Sequence, residues 1–199
     1  ALSVAISLQN EKAVEHLLEN GADANITLPL KGNSTALIEA VRLNNSNIIS
    51  LLVKNKADVN KADKLGRTPL IEAILINSDK LQYLLDKGAD INTNDLIMEK
   101  AGKYTPHQTA LMYAIIMGDP ALIKILIENK ADINKMVGNV TALMVAAKLG
   151  KPSIVRKLIK YGADVNKVDL IGKTALMKAI LNPSKVANKV MRILIDNKA

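Results

Sequence analysis

The chain of 199 residues has no cysteine, no phenylalanine and no tryptophan, and four tyrosines are its whole aromatic content. Without cysteine there are no disulfides, no thiolate metal ligands and no thiol nucleophile. Without large aromatics, any core must be filled by Leu, Ile, Val, Ala and Met. No apolar run approaches the roughly 18 residues that a membrane-spanning helix requires. Disorder is excluded as well, because 49% of the residues are hydrophobic, far more than a segment unable to build a core contains.

Chemistry-bearing motifs are equally scarce. There is no Gly-x-Gly-x-x-Gly, no phosphate loop ending in Gly-Lys-Ser/Thr and no helix with paired histidines. His16 and His107 are the two histidines and lie far apart in the chain. His16 is expected to be partly buried and structural. His107 is expected at a loop tip with no second ligand. Asp90-Ile91-Asn92-Thr93-Asn94-Asp95 opens like a calcium loop, but Asp95 stands where the required Gly belongs and Ala101 where the closing Glu belongs. No catalytic, cofactor-binding or metal-binding residue is therefore assigned.

Charge is present but unevenly spread. Of 27 Lys+Arg and 19 Asp+Glu, residues 1–100 hold 11 and 13, and residues 101–199 hold 16 and 6. A near-neutral first half and a basic second half fit an acidic partner, an anionic lipid surface or nucleic acid. The excess of Lys over Arg, with abundant Asn and Ile, also fits an AT-rich coding sequence, and both readings stand at this point.

What dominates the sequence is repetition. One phrase recurs as Gly21-Ala22-Asp23-Ala24-Asn25, Lys56-Ala57-Asp58-Val59-Asn60, Gly88-Ala89-Asp90-Ile91-Asn92, Lys130-Ala131-Asp132-Ile133-Asn134 and Gly162-Ala163-Asp164-Val165-Asn166. Between these lie Thr35-Ala36-Leu37, Thr68-Pro69-Leu70, Thr109-Ala110-Leu111, Thr141-Ala142-Leu143 and Thr174-Ala175-Leu176, each with Ala five residues after the Thr (Ala40, Ala73, Ala114, Ala146, Ala179). The Thr is expected to cap a short helix. Leu143, Ala146 and Ala147 form one apolar stripe of such a helix, and Ile154, Val155, Leu158 and Ile159 one face of a second. Gly21, Gly88 and Gly162, alternating with Lys56, Lys130 and Lys198, are placed where the second helix ends in a left-handed residue, and Asp164 and Asn166, like their counterparts, are expected in the turn beyond, bonding nearby backbone amides. A pair of short helices cannot bury its own face, so neighbouring pairs must stack. The recurrent Ala would let them approach closely.

On these residues, above all Gly66-x-Thr68-Pro69-Leu70 with Ala73 and the five Ala-Asp-x-Asn phrases, the chain resembles the ankyrin repeat family. The resemblance implies an all-α solenoid of stacked helix-turn-helix units with short β-hairpin or loop fingers. It covers 1–199 as a single array with approximate repeats 1–25, 26–60, 61–92, 93–134, 135–166 and 167–199. The outer repeats are read as cuts through a longer array. Ile38, Ile71, Met112, Met144 and Met177 stand where the family usually has His, which replaces a hydrogen bond by an apolar contact, and this stripe is assigned to the core. The stretch 93–108 is an insertion, expected to form an extended fingertip or a short extra helical turn.

The resemblance further implies a protein–protein interaction module, non-catalytic and without cofactors, that binds through a concave groove and its fingertips. The basic half favours an acidic partner. The partner-binding residues expected are Leu65, Arg67, Glu72 and Ile76 in repeat three, and Tyr104, His107, Tyr113 and Met117 in repeat four. Val137 and Lys148 are expected in repeat five, and Ile171, Lys173 and Lys178 in repeat six. Tyr and Arg are favoured interface anchors. Nucleic-acid or anionic-membrane binding through the basic half is the alternative, disfavoured because four Tyr offer few stacking platforms and no single amphipathic helix stands out. A further alternative makes the array the non-catalytic part of a larger enzyme. A monomer is expected; the compartment stays open, cytoplasmic by default with export possible.

Overall fold

The computed structural model describes residues 1–28, 32–95 and 108–199. The chain forms two compact units, residues 1–105 and 106–199, so the boundary falls within the insertion. Tyr104, His107 and the expected shape of that insertion lie outside the described residues.

Among the described residues, three helix pairs make up the first unit: α1 (Leu2–Ser7) with α2 (Glu11–Glu19), α3 (Ala36–Arg42) with α4 (Ser46–Lys54), and α5 (Pro69–Leu75) with α6 (Leu81–Asp86). Three more make up the second: α7 (Ala110–Met117) with α8 (Pro120–Glu128), α9 (Ala142–Lys148) with α10 (Pro152–Lys160), and α11 (Ala175–Ile180) with α12 (Ala187–Asp196). Within each unit the first helices of successive pairs pack together, as α1 on α3, α3 on α5, α7 on α9 and α9 on α11. Second helices do the same, α2 on α4 and α10 on α12. The sheet content among the described residues is small: β1 (Thr27–Leu28) pairs antiparallel with β2 (Ser34–Thr35), and Val137 bridges Val140 in a second finger. This is the helical solenoid expected from the repeats.

Each recurrent residue has a local job. The hydroxyls of Thr35, Thr68, Thr109, Thr141 and Thr174 accept from the backbone N–H three residues on, at 3.1–3.4 Å, satisfying one orphan donor each of α3, α5, α7, α9 and α11. Pro69 occupies the first turn of α5, where its missing N–H costs nothing. Ala40, Ala73, Ala114, Ala146 and Ala179 are all fully buried, and a larger side chain there would push stacked helices apart. Ile38, Ile71, Met112 and Met144 are fully buried as well, whereas Met177 is 47% exposed, since no further helix pair covers that side of α11 among the described residues.

The helix-ending lysines take the same backbone conformation as the glycines. Lys56, Lys130 and Lys198 have φ of 66°, 67° and 66°, beside 85°, 87° and 92° at Gly21, Gly88 and Gly162. A non-glycine residue pays about 1–2 kcal/mol for that geometry. Asn33 and Asn139, in place of a hairpin glycine, are left-handed too.

The Asp-x-Asn turn does more than close on itself. Asp58, Asp90, Asp132 and Asp164 accept from the N–H two residues on at 2.8–2.9 Å, as short turn formers do. The Asn side chain, expected to act locally, instead spans to the next layer. The Asn60 amide donates to the Gly88 carbonyl (3.1 Å) while its oxygen accepts from Asp90 N–H (2.7 Å). Asn25 bridges to Lys56 and Asp58, and Asn134 to Gly162 and Asp164, in the same two-bond way.

His16 departs from expectation: it is exposed. Val14 and Leu18 take the buried positions of α2, and a residue two from each is rotated about 200° to the far face.

The Asn bridges generate a direct test. Asn60→Ala removes two interlayer hydrogen bonds and leaves the Asp90 N–H and the Gly88 carbonyl to water. A loss of about 1–2 kcal/mol is expected in denaturant unfolding, with Asn20→Ala, whose amide bonds only within α2, losing less.

Candidate functional site

Two positions of every Thr-capped first helix face the groove side: the fourth and seventh residues after the capping Thr. Three residues apart, they share one helix face. In the first unit they are Glu39 and Arg42 on α3, then Glu72 and Leu75 on α5. In the second they are Tyr113 and Ile116 on α7, Val145 and Lys148 on α9, and Lys178 and Leu181 at α11.

The first unit pairs three of these positions with one another and leaves Leu75 exposed. Arg42 donates to Glu39 (2.9 Å) on its own helix and to Glu72 (2.9 Å) on the next. Glu72 also meets Arg67 at 3.6 Å, and Arg67 makes a forked contact with Asp63 at 2.8 and 3.0 Å. Glu39, Glu72 and Asp63 are buried beneath the two guanidiniums. Burial works against the Arg42 charge, but Glu72 and then Glu39 outweigh it and hold its pKa above the ordinary arginine value. Glu72 and Arg67, expected to meet a partner, are thus engaged with the fold, and Glu72 is covered. Leu65 is half-buried beside them, while Ile76 is exposed at the end of α5.

In the second unit the same face is open and mostly apolar. Ile116, Val140, Val145, Leu149 and Leu181 line a depression of about 400 Å³, with Lys148 and Lys178 at its rim and Met144 and Gln108 also contributing. Ile116, Leu149 and Leu181 are 44%, 43% and 65% exposed, large fractions for residues of this size. Lys148 is exposed, and no carboxylate pairs with it among the described residues. Of the expected residues, Lys148 and Lys178 join this groove. Tyr113 is half-buried on α7 and Met117 exposed at its end. Val137 is covered, because its bridge to Val140 turns it into the finger. Val145, Leu149 and Leu181 were not singled out from sequence, although reading down the fourth and seventh positions after each Thr finds Val145 and Leu181 directly.

The finger of the last repeat is a rigid mount. Asp169 Oδ1 accepts from the N–H groups of Ile171 (3.0 Å) and Lys173 (2.8 Å), and Oδ2 accepts from Lys178 Nζ at 2.6 Å. The Lys178 hydrogen bond, then the two backbone donors, hold the Asp169 carboxyl below the usual aspartate range. Asp63 arranges the third repeat's finger alike, accepting from Leu65 and Arg67 N–H. Leu170 and Ile171 project from the Asp169 turn, largely exposed.

Stacked helix pairs with short fingers define a repeat solenoid, a class whose surfaces serve recognition. The family model described as Ankyrin repeats (3 copies) matches residues 2–95, 96–169 and 111–199, and the chain belongs to the ankyrin repeat family. It is 34% identical over 131 residues to human Ankyrin repeat and SOCS box protein 6, covering 61% of this chain and 29% of that protein. It is 29% identical over 146 residues to the ankyrin repeat protein FPV230 of Fowlpox virus, covering 57% of this chain and 73% of that protein. With human mitochondrial disaggregase it shares 46% identity over 61 residues, 30% of this chain and 9% of that protein. The chain therefore spans less than a third of the SOCS box relative's length. Ankyrin repeats are in general non-catalytic protein–protein interaction modules.

Two measurements check the polar architecture. Arg42→Ala strands Glu39 and Glu72 in a buried setting and is expected to cost about 3 kcal/mol in denaturant unfolding, whereas Lys64→Ala on the exposed finger changes little. For Asp169 the folded pKa is depressed, so its contribution is present above the unfolded aspartate pKa and is lost as pH falls through the folded value. The Ile171 and Lys173 amide resonances should titrate together, with a midpoint below that of ordinary aspartates; Asp169→Asn should abolish that step.

Proposed function

We propose that the chain, read as one array of six repeats, is a protein-binding module whose docking site is the groove of the second unit. The observation that carries this is the contrast at the fourth and seventh positions. Glu39, Arg42 and Glu72 pair with one another, while Ile116 and Leu181 are left open to solvent, with Val145 half-buried beside them. Exposed aliphatic side chains gathered in a depression are what a partner's apolar anchors bury. A helix-borne surface loses little conformational freedom on binding, which favours affinity. Lys148 on the rim, with Lys173 in the finger beyond, favours an acidic residue next to the partner's apolar anchor. Ile171 and Leu170 extend the contact at the finger, and Met117 at the end of α7.

The electrostatic share of this contact is modest. In the second unit, the fingers and first helices (residues 106–117, 131–149 and 163–181) hold five Lys against three Asp. Moderate salt dependence follows, with apolar burial supplying most of the affinity.

Affinity capture from an extract, followed by titration of the recovered partner, tests the reading. Ile116→Glu with Leu181→Glu should weaken the complex by more than about tenfold, and Leu75→Glu at the matching position of the first unit should leave it unchanged. Equal binding by all three proteins would rule the groove out.

A further inference from the structure

The second unit's positive charge is mostly not in the groove. Its second helices with the turns flanking them (residues 118–130, 150–162 and 182–199) hold ten Lys+Arg against three acids, and all of that excess lies in the last two segments. Around α8 the balance is zero, and there Lys124 pairs with Glu128 at 3.6 Å. On α10 the exposed cations are Arg156 and Lys160, four residues apart on one face; on α12 they are Lys189 and Arg192, three apart. None of these four meets a carboxylate within ion-pairing distance among the described residues. Asp196 is the one acid that α10 and α12 carry.

Since α10 packs on α12, the four cations form one patch, about 10 Å across between helix axes and about 4.5–6 Å along each helix, with Asp196 lining the cleft between the helices beside Arg156 and Lys160. The patch is carried by second helices, so it looks away from the groove lined by α7, α9 and α11. Rigid helices present it, and exposed apolar side chains flank it: Tyr161 at the end of α10 (38% exposed) and Ile195 on α12 (58% exposed).

We propose that this outer face of α10 and α12 docks on anionic phospholipid surfaces. Charge complementarity supplies the attraction: clustered Lys and Arg near a negative bilayer surface each add to binding. The neighbouring Ile195 favours lipid over nucleic acid, because an aliphatic side chain gains from the headgroup boundary and gains nothing against a phosphodiester backbone. Sequence-specific duplex readout would also need an element projecting into a groove, and α10 and α12 lie side by side in a packed layer. No described helix is long and apolar enough to cross a membrane, so the contact is a peripheral one. It leaves the groove free, and the module would hold its protein partner beside a membrane.

Co-sedimentation of the chain with vesicles of phosphatidylcholine alone, and of phosphatidylcholine with phosphatidylserine, tests this. Binding is expected only to the phosphatidylserine vesicles, falling with added salt. Arg156→Gln with Arg192→Gln should lower partitioning on the order of tenfold or more. Lys160→Gln with Lys189→Gln should do the same, and circular dichroism melts confirm that each variant folds. The groove variant Leu149→Glu should bind vesicles normally, which separates this face from the proposed protein site. Absence of phosphatidylserine-dependent binding, or undiminished binding by both double variants, would overturn the proposal. So would a preference for duplex DNA in direct competition, which would assign the patch to nucleic acid.

Discussion

A layer of two short helices cannot enclose a core, and that constraint governs every recurrent residue in this chain. Helices of 6 to 10 residues are too short to be stable alone. They persist because adjacent layers cover one another. Close approach demands a small residue where first helices cross, and Ala40, Ala73, Ala114, Ala146 and Ala179 supply it. Aliphatic and methionine side chains then fill thin interlayer spaces that a Phe or Trp would force open. The absence of large aromatics follows from the architecture and is no deficit in it. The Asn bridges act in the same direction from the rim: Asn60 reads both a carbonyl and an N–H of the following layer, which fixes register as well as spacing.

Because stacking settles the interior, the groove face is free to vary, and the two units have used that freedom differently. Three carboxylates and two guanidiniums close the first unit's face into a chain from Asp63 to Glu39. Such a network is specific in geometry but leaves little binding energy to offer, since a partner would have to displace charges that are already paired and partly desolvated. The second unit replaces Glu39 and Glu72 by Tyr113, Val145 and Lys178, and Arg42 by Ile116, Lys148 and Leu181. Burial of those apolar groups is still available to a partner.

How far sequence alone reached depended on whether a residue acts within its own repeat. Thr capping, left-handed Lys56 and Lys130, buried Ala73 and the local Asp164 turn are all short-range matters, and they were legible from one repeat at a time. Residues whose partners lie in another layer were not. Asn60 looked like a turn former because Gly88 is 28 positions away. Glu72 looked like a groove residue because Arg42, from the previous repeat, is what covers it. Val137 has the pattern of an exposed tip, but its bridge to Val140 turns it inward. His16 failed for a different reason: its helix is only nine residues long, so an error of half a turn in phase exchanges the buried face for the exposed one. The groove residues Val145 and Leu181 were legible in principle, by comparing equivalent positions across repeats in place of inspecting each repeat by itself.

The charge gradient along the chain shows why linear composition is a poor guide to a surface. A basic second half suggested a basic groove, yet alternate segments of a solenoid belong to opposite faces. First helices and fingers of the second unit carry two net charges and the second helices with their turns carry seven. At a Debye length of about 8 Å in physiological salt, the groove and the outer helices do not share one field, since a full helix layer separates them. A partner in the groove is therefore selected chiefly by the shape and apolar character of the Ile116–Val145–Leu181 surface. The selection exerted by Arg156, Lys160, Lys189 and Arg192 falls on whatever faces the other side. One thin layer can thus carry two independent specificities, because its two helices never need to present the same chemistry.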